Sequence, residues 1–321
     1  MIRILAYRFS AFGDVAMTMP VFREFLEQNP NVEIVMVTRN NFEDLFADLP
    51  GVTFKGIDLD DYKGFLGIRK LAKELLVEFK PDYVADLHDV IRSKILDKIY
   101  VRKGLKVFKI NKGKEEKEEL TDVWNLDKVQ LKRTVERYAD VFREMGFKVE
   151  LSHQLRPIYK EKSGIGFAPF AQHKGKMLPL EKSFELAKIL AEKHTVYFFG
   201  GGKNETETLE SWEKQIPNTK SLAGKLNLSE ELDRIAQLEI MISMDSANMH
   251  LASIVGTRCV SIWGSTHPYA GFLGFGQSEN DVVQINDLTC RPCSVFGDKE
   301  CYRGDWACLE EISVQKIIDK I

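Results

Sequence analysis

Asp245 and Ser246 stand between a short apolar run, Ile240 to Met244, and a helical stretch that carries His250 one turn in. A run of that length with those flanks reads as a buried strand. Either Asp245 or Ser246 can cap the helix that begins near Ala247. The first backbone N–H groups of such a helix, from Ser246 through Ala247 and Asn248 to Met249, have no acceptor inside it. With His250 beside them they make a site for an anion such as a diphosphate. Gly256 ends the helix. A second apolar strand, Cys259 to Trp263, then runs into the turn Gly264-Ser265-Thr266-His267-Pro268. Strand, helix and strand form a βαβ unit whose loops open on the sheet edge where α/β proteins bind ligands.

Four of the five cysteines are clustered as Cys290-x2-Cys293-x7-Cys301-x6-Cys308. In a cytoplasmic chain such a series can hold a structural zinc tetrahedrally, or remain as free thiols, or oxidise to disulfides. The second pair is spaced more widely than in a standard zinc ribbon. Cys259 falls in the predicted buried strand and reads as a small core hydrophobe. Two glycine-bearing loops fail the tests for nucleotide fingerprints. Arg8 to Asp14 lacks the glycines of Gly-x-Gly-x-x-Gly, which disfavours a nicotinamide-dependent dehydrogenase. Gly200-Gly201-Gly202-Lys203 has neither the glycine spacing nor the following hydroxyl residue of a P-loop. Asp14 sits where an N-cap or first-turn carboxylate is expected.

The elements that must position these groups alternate. Strand Ile2 to Tyr7 precedes a helix from about Val15 to Gln28 and strand Val32 to Thr38. A short helix near Phe42 to Leu49, strand Val52 to Ile57, a helix from about Gly67 to Phe79 and strand Tyr83 to Leu87 follow. Lys112 to Glu119 is a mixed charge run that reads as a mobile surface loop, and a helix from about Lys128 to Met145 ends at Gly146. Phe147 to Tyr159 lacks periodicity and is the expected linker. A second series holds strand Gly164 to Pro169, a helix to about Glu192, strand Val196 to Phe199, a helix from Ser229, the βαβ unit above, and a terminal helix, Val314 to Ile321. Such alternation predicts parallel sheets with helices on both faces.

The chain has 321 residues, of which 44% are hydrophobic, enough for two domains with sizeable cores. A net charge of −3 gives no global basic field, so nucleic acid is not an expected partner. The first residues lack the ordered regions of a signal peptide, and no apolar run is long enough to span a bilayer. The expectation is a soluble, cytoplasmic protein whose membrane contact is at most peripheral, at the inner face of the inner membrane.

Asp245, Ser246, His250, Leu251, Ala252, Gly256, Gly264, Thr266 and Pro268 also carry a resemblance. Their spacing is similar to the C-terminal signature of glycosyltransferase family nine, the heptosyltransferases; Ala247 stands where that family has Gly, and Arg258 where it has Pro. Ser10, Gly13, Asp14, Thr18 and Pro20 resemble its N-terminal motif, Asp86 to Ser93 its acceptor-facing segment, and Lys176 to Pro179 its Lys-x-Trp-Pro motif, with Leu178 in place of Trp. The resemblance implies an α/β fold of GT-B type, two Rossmann-like βαβ domains facing a central cleft. Residues 1–155 would bind acceptor and 156–310 the nucleotide sugar, with 311–321 packing back on the N-terminal domain. It implies an inverting, metal-independent glycosyltransferase that moves a sugar, ADP-heptose being the expected donor, to a lipopolysaccharide core or related glycan. Asp14 would be the catalytic base, and Ser10, His88 and Arg92 would bind acceptor. Lys176, Glu205, Asp245, Ser246, Ala247, Asn248, His250 and Thr266 would bind donor. A nucleotide-sugar epimerase or a non-catalytic nucleotide- or glycan-binding module of the same fold are the alternatives. Related proteins often carry cysteines in the 290–308 region, which implies a structural role for that cluster.

Overall fold

In the computed structural model, which describes every residue from Met1 to Ile321, the chain divides into two compact units. The first comprises Met1–Lys112 and Thr134–Ser152; the second comprises Gly113–Arg133 and His153–Ile321.

The first unit is built in the order β1 (Ile2–Tyr7), α1 (Phe12–Ala16), α2 (Thr18–Gln28), β2 (Val32–Arg39), β3 (Val52–Ile57), α3 (Gly64–Phe79), β4 (Tyr83–Asp86), α4 (Ile91–Arg102) and β5 (Lys106–Lys109). Its five strands pair in parallel, ordered β3-β2-β1-β4-β5. Helices cover both faces of such a sheet, so its central strand must be apolar on both sides. Ile4, Leu5, Ala6 and Tyr7 are accordingly buried to the last atom. α3 turns Ile68, Leu71, Ala72 and Leu75 inward, a spacing that puts all four on one helical stripe. They join Leu5, Val35, Val84 and Tyr100 in one core.

The chain then leaves the first unit for 21 residues, Gly113–Arg133, which pack on the second. The charge run expected as a loop is helix α5 (Lys114–Leu120). Lys and Glu are good helix formers, and Leu120 and Lys117 are buried, with the Lys117 ammonium 4.3 Å from the centre of the Phe272 ring. The next helix, α6 (Thr134–Glu144), begins six residues later than the predicted Lys128; ahead of it the Leu131 N–H, outside any helix, bonds to the Tyr269 carbonyl, 2.9 Å.

The second unit runs β6 (Ile165–Ala168), α7 (Leu180–Ala191), β7 (Val196–Phe198), α8 (Lys203–Gln215), β8 (Thr219–Ser221), α9 (Leu228–Ala236), β9 (Ile240–Met244), α10 (Ala247–Ile254), β10 (Cys259–Ile262), β11 (Val282–Val283), α11 (Ala307–Glu310) and α12 (Val314–Ile318). Six parallel strands are ordered β11-β10-β9-β6-β7-β8. The terminal helix α12 corrects an expectation. It packs on α7, and its Val314 and Ile317 enter the core of the second unit with Leu186, Leu190 and Ile262. Each unit is thus a doubly wound, Rossmann-like α/β sheet, as the GT-B fold class requires.

Candidate active site

In an open parallel sheet, ligands bind at the strand C-termini where the winding direction reverses. In the first unit the reversal lies between β1 and β4, and the loops there carry Arg8, Ser10 and His88. Asp14 is the third residue of α1, a first-turn carboxylate as expected, and accepts from the Ala11 N–H at 3.3 Å. Its Oδ2 also lies 2.7 Å from Arg8 Nη2. The Arg8 side chain is buried beneath it, donating from Nη1 to the Leu87 carbonyl at 2.6 Å and lying 5.6 Å from the Tyr138 ring centre. The Tyr138 hydroxyl donates to the Asp14 main-chain carbonyl at 3.2 Å. Burial works against the guanidinium charge, but Tyr138 and Asp14 more than offset it, and its pKa is raised. The carboxylate is therefore held from both ends.

Asp86, fully buried, accepts from the N–H groups of His88 and Asp89, each at 2.8 Å, and from the Ser93 hydroxyl at 2.7 Å. These bonds shape the loop that presents His88. The imidazole Nδ1 accepts from the Phe9 N–H at 3.4 Å, and Nε2 lies 3.4 Å from Ser10 Oγ. Burial, with the Arg8 charge added, pushes the His88 pKa down to about 3. It thus meets any ligand as a neutral hydrogen-bonding group, not as the cation that binding anions would call for. Arg92 donates from Nη1 to the Leu59 carbonyl at 3.0 Å. One Asp-x-Asp triplet does occur, Asp58-Leu59-Asp60, in the turn after β3; Asp58 accepts from the Asp60 N–H at 2.9 Å and Asp60 pairs with Lys63.

In the second unit the reversal lies between β6 and β9, and it brings Lys176 to Asp245. Lys176 Nζ stands 2.9 Å from Asp245 Oδ2, which also accepts from Thr266 Oγ1 at 2.8 Å. Ser246 occupies the N-cap position of α10 without capping it; its hydroxyl turns to Ser243 Oγ, 3.1 Å away. The first-turn N–H groups at Ala247, Asn248 and Met249 take no side-chain cap from it, and His250 lies buried in the same turn. Glu205 sits apart from this group, in the first turn of α8, where its Oε2 accepts from the Gly201 N–H at 2.8 Å and ties down the three-glycine loop.

Lys176 is aimed by its neighbours. The Gly175 carbonyl accepts from both the N–H and the hydroxyl of Ser265, at 2.8 and 2.9 Å. Gly297 has φ +77°, and a Cβ there would stand 2.6 Å from Lys176 Cγ. Only glycine combines that backbone with that clearance. Gly297 belongs to the cysteine segment, and the Cys293 N–H donates to the Ser265 carbonyl at 3.1 Å, so this segment braces the Lys176 loop. Cys290, Cys293, Cys301 and Cys308 are free thiols that line one small cavity. Burial pushes the Cys308 thiol up to about 12 and raises Cys293 as well. No group of three or more His, Cys, Asp or Glu side chains is disposed to hold a metal ion, so the tetrahedral zinc expectation gains no support.

Three positions of the site escaped sequence reasoning. Arg8 and Tyr138 are 130 residues apart and meet only in the fold. Arg291 is 5% exposed and spends its guanidinium on the carbonyls of Gly264, Ile285 and Thr266 and on the Gln284 side chain, clamping the loops beyond β10 and β11. The one available signal for Arg291 was its place inside the cysteine cluster.

The two doubly wound sheets thus carry a carboxylate at one switch point and a lysine beside an uncapped helix start at the other. The sequence pattern of glycosyltransferase family 9 (heptosyltransferase) matches residues 68–302. The chain belongs to that family and is a glycosyltransferase. It is 24% identical over 322 residues to lipooligosaccharide heptosyltransferase 2 of Campylobacter jejuni, covering 96% of this chain and 93% of that one. Among solved structures, a glycosyl transferase family 9 protein from Veillonella parvula superposes with a TM-score of 0.73 at 18% identity, over 99% of this chain and 96% of that one. The E. coli heptosyltransferase WaaC with ADP-2-deoxy-2-fluoro heptose gives 0.67 at 16% identity, over 92% and 97%. At those identities the structures speak for the fold alone.

Proposed function

We propose that this enzyme transfers heptose from ADP-heptose to the core of lipopolysaccharide or a related glycan, with inversion at the anomeric carbon and without a catalytic metal. The observation that carries the reading is the trio Lys176, Asp245 and Thr266 beside the uncapped start of α10. An ammonium and free helix N–H groups are what a departing diphosphate needs. The relative of known donor complex, WaaC, was solved with an ADP-heptose analogue, and the curated relative is a heptosyltransferase.

In this reading Lys176 leaves Asp245 for the diphosphate oxygens, and His250 and the N–H groups of Ala247 and Asn248 share the leaving charge. Asp245 orients that set together with Thr266 and Ser246. Glu205 serves the donor ribose. Asp14 takes the proton of the acceptor hydroxyl as it attacks, a role worth about 10²–10⁴-fold. Ser10 and neutral His88 orient that hydroxyl, while Arg92 serves anionic groups of the acceptor. The lipid-borne acceptor sets the place of work, the inner face of the inner membrane, with the protein in peripheral contact from the cytoplasm.

The test is incubation with ADP-β-heptose and a heptose-deficient lipopolysaccharide, with and without a chelator. The expected result is ADP release that requires acceptor, survives chelation, and yields an α-linked product by NMR. Conversion of the donor with no acceptor present would make the protein an epimerase instead, and a β-linked product would end the inverting mechanism.

A further inference from the structure

A cavity of the second unit, about 710 Å³, lies outside the donor site described above. That volume falls within the range of about 300–1,000 Å³ typical of ligand pockets. Leu126 and Lys128, from the stretch that leaves the first unit, line it together with Tyr269 and with Asn286 and Thr289 beyond β11. The walls are fastened together, because the Leu131 N–H holds the Tyr269 carbonyl and Arg133 pairs with Glu279 at 3.2 Å.

The lining favours neutral, hydroxyl-bearing ligands over anions. The Lys128 ammonium already donates to the carbonyls of Leu120 and Asp122, at 2.8 and 2.6 Å. Arg291 is spent on carbonyls. His267, whose Nδ1 accepts from the Tyr269 N–H at 3.1 Å, is kept neutral by burial, its pKa near 3, with the Arg291 charge adding to the effect. Glu279 and Asp287 at the cavity add negative charge. A phosphate would need free cations or helix N–H groups here, and none is offered. By contrast, the Tyr269 hydroxyl, the Asn286 amide and the Thr289 hydroxyl line the cavity, and together they can donate to and accept from hydroxyls. An aromatic ring beside a few such groups suits a sugar.

The cavity adjoins the donor site through a single peptide link. His267 follows Thr266, whose hydroxyl reaches Asp245 and whose carbonyl Arg291 holds at 2.7 Å. We propose that this cavity binds a neutral sugar unit of the acceptor glycan. The proposal rests on the transferase reading and names a subsite for its acceptor.

The test is titration of the full chain, saturated with ADP, with a lipid-free inner-core oligosaccharide. The expected result is binding by the wild type, weakened about tenfold in Tyr269→Ala and in Asn286→Ala, as loss of one or two neutral contacts would give. ADP affinity should stay unchanged, and in turnover the acceptor KM should rise about tenfold with the donor KM constant. Thr289→Val, at an exposed position, repeats the test without disturbing packed residues. No binding by the wild type, unchanged binding in all three variants, or a rise confined to the donor KM would each overturn the proposal. Absence of any transfer from ADP-heptose by the wild type would instead fail the transferase reading.

Discussion

The carboxylate of Asp14 and the guanidinium of Arg8 are paired at 2.7 Å, with only the carboxylate reaching the surface. Arg8 fixes where the carboxylate points. As the proposed base, Asp14 works by position. Asp14→Asn is expected to lower kcat by about 10²–10⁴, with ADP affinity unchanged by calorimetry. Arg8→Gln should lower kcat less and also destabilise the first unit by about 1–3 kcal/mol, since the Leu87 carbonyl and Asp14 lose a partner. An Asp14→Asn enzyme with full turnover would remove this carboxylate from the chemistry.

Lys176 and Asp245 should part in their effects. Lys176→Ala removes the ammonium and is expected to weaken ADP and ADP-heptose alike, by about tenfold or more for a charge-assisted contact. Asp245→Asn keeps the ammonium and frees it, so ADP binding should hold while turnover falls through lost orientation. Equilibrium titration of ADP with both variants, beside initial rates, reads the difference.

Gly297 lets the Lys176 stem pass. Gly297→Ala combines a strained positive φ with a Cβ 2.6 Å from Lys176 Cγ. The expected outcome is a loss of ADP affinity approaching that of Lys176→Ala, with no change of charge. Unchanged affinity would show that the lysine reaches its ligand by another path.

His88 and His267 give the two units a shared acid weakness. Both pKa values are near 3, pushed down by burial first and by a neighbouring arginine next, against about 6.5 for the unfolded chain. Between those values the unfolded chain binds more protons than the folded one, so stability rises with pH there and is lost as pH falls below about 6.5. Each histidine should contribute a slope of about 1.4 kcal/mol per pH unit. Unfolding midpoints taken from pH 7 to pH 5 should drop, and His88→Gln or His267→Gln should flatten the fall. A midpoint that stays level across that range would mean the two rings are protonated in the folded protein.

Much of the fold could be read along the chain, because buried parallel strands must be apolar throughout and covering helices must repeat every 3.6 residues. β3 was placed to the residue, and β1, β9 and the start of α10 were as clear. The edge strands β5, β8 and β11 were not, since they are two to four residues long and half solvated, with no pattern to show. The sequence alone also supplied which residue types stand in the loops and helix starts that follow the strands: Asp14, Lys176, Asp245, Ser246, His250 and Thr266.

Tertiary structure decided how those residues are joined. Nothing in the order of the chain says that Arg8 and Tyr138 should hold Asp14, that Gly297 should clear a path for Lys176, or that Arg291 should bind the loop of Thr266. Contacts between residues far apart in sequence depend on sheet order and loop packing, which local patterns do not encode. The same reason applies to Gly113–Arg133 and to α12. Their apolar residues required burial, but only the packed surfaces of the second unit determined where that burial occurs.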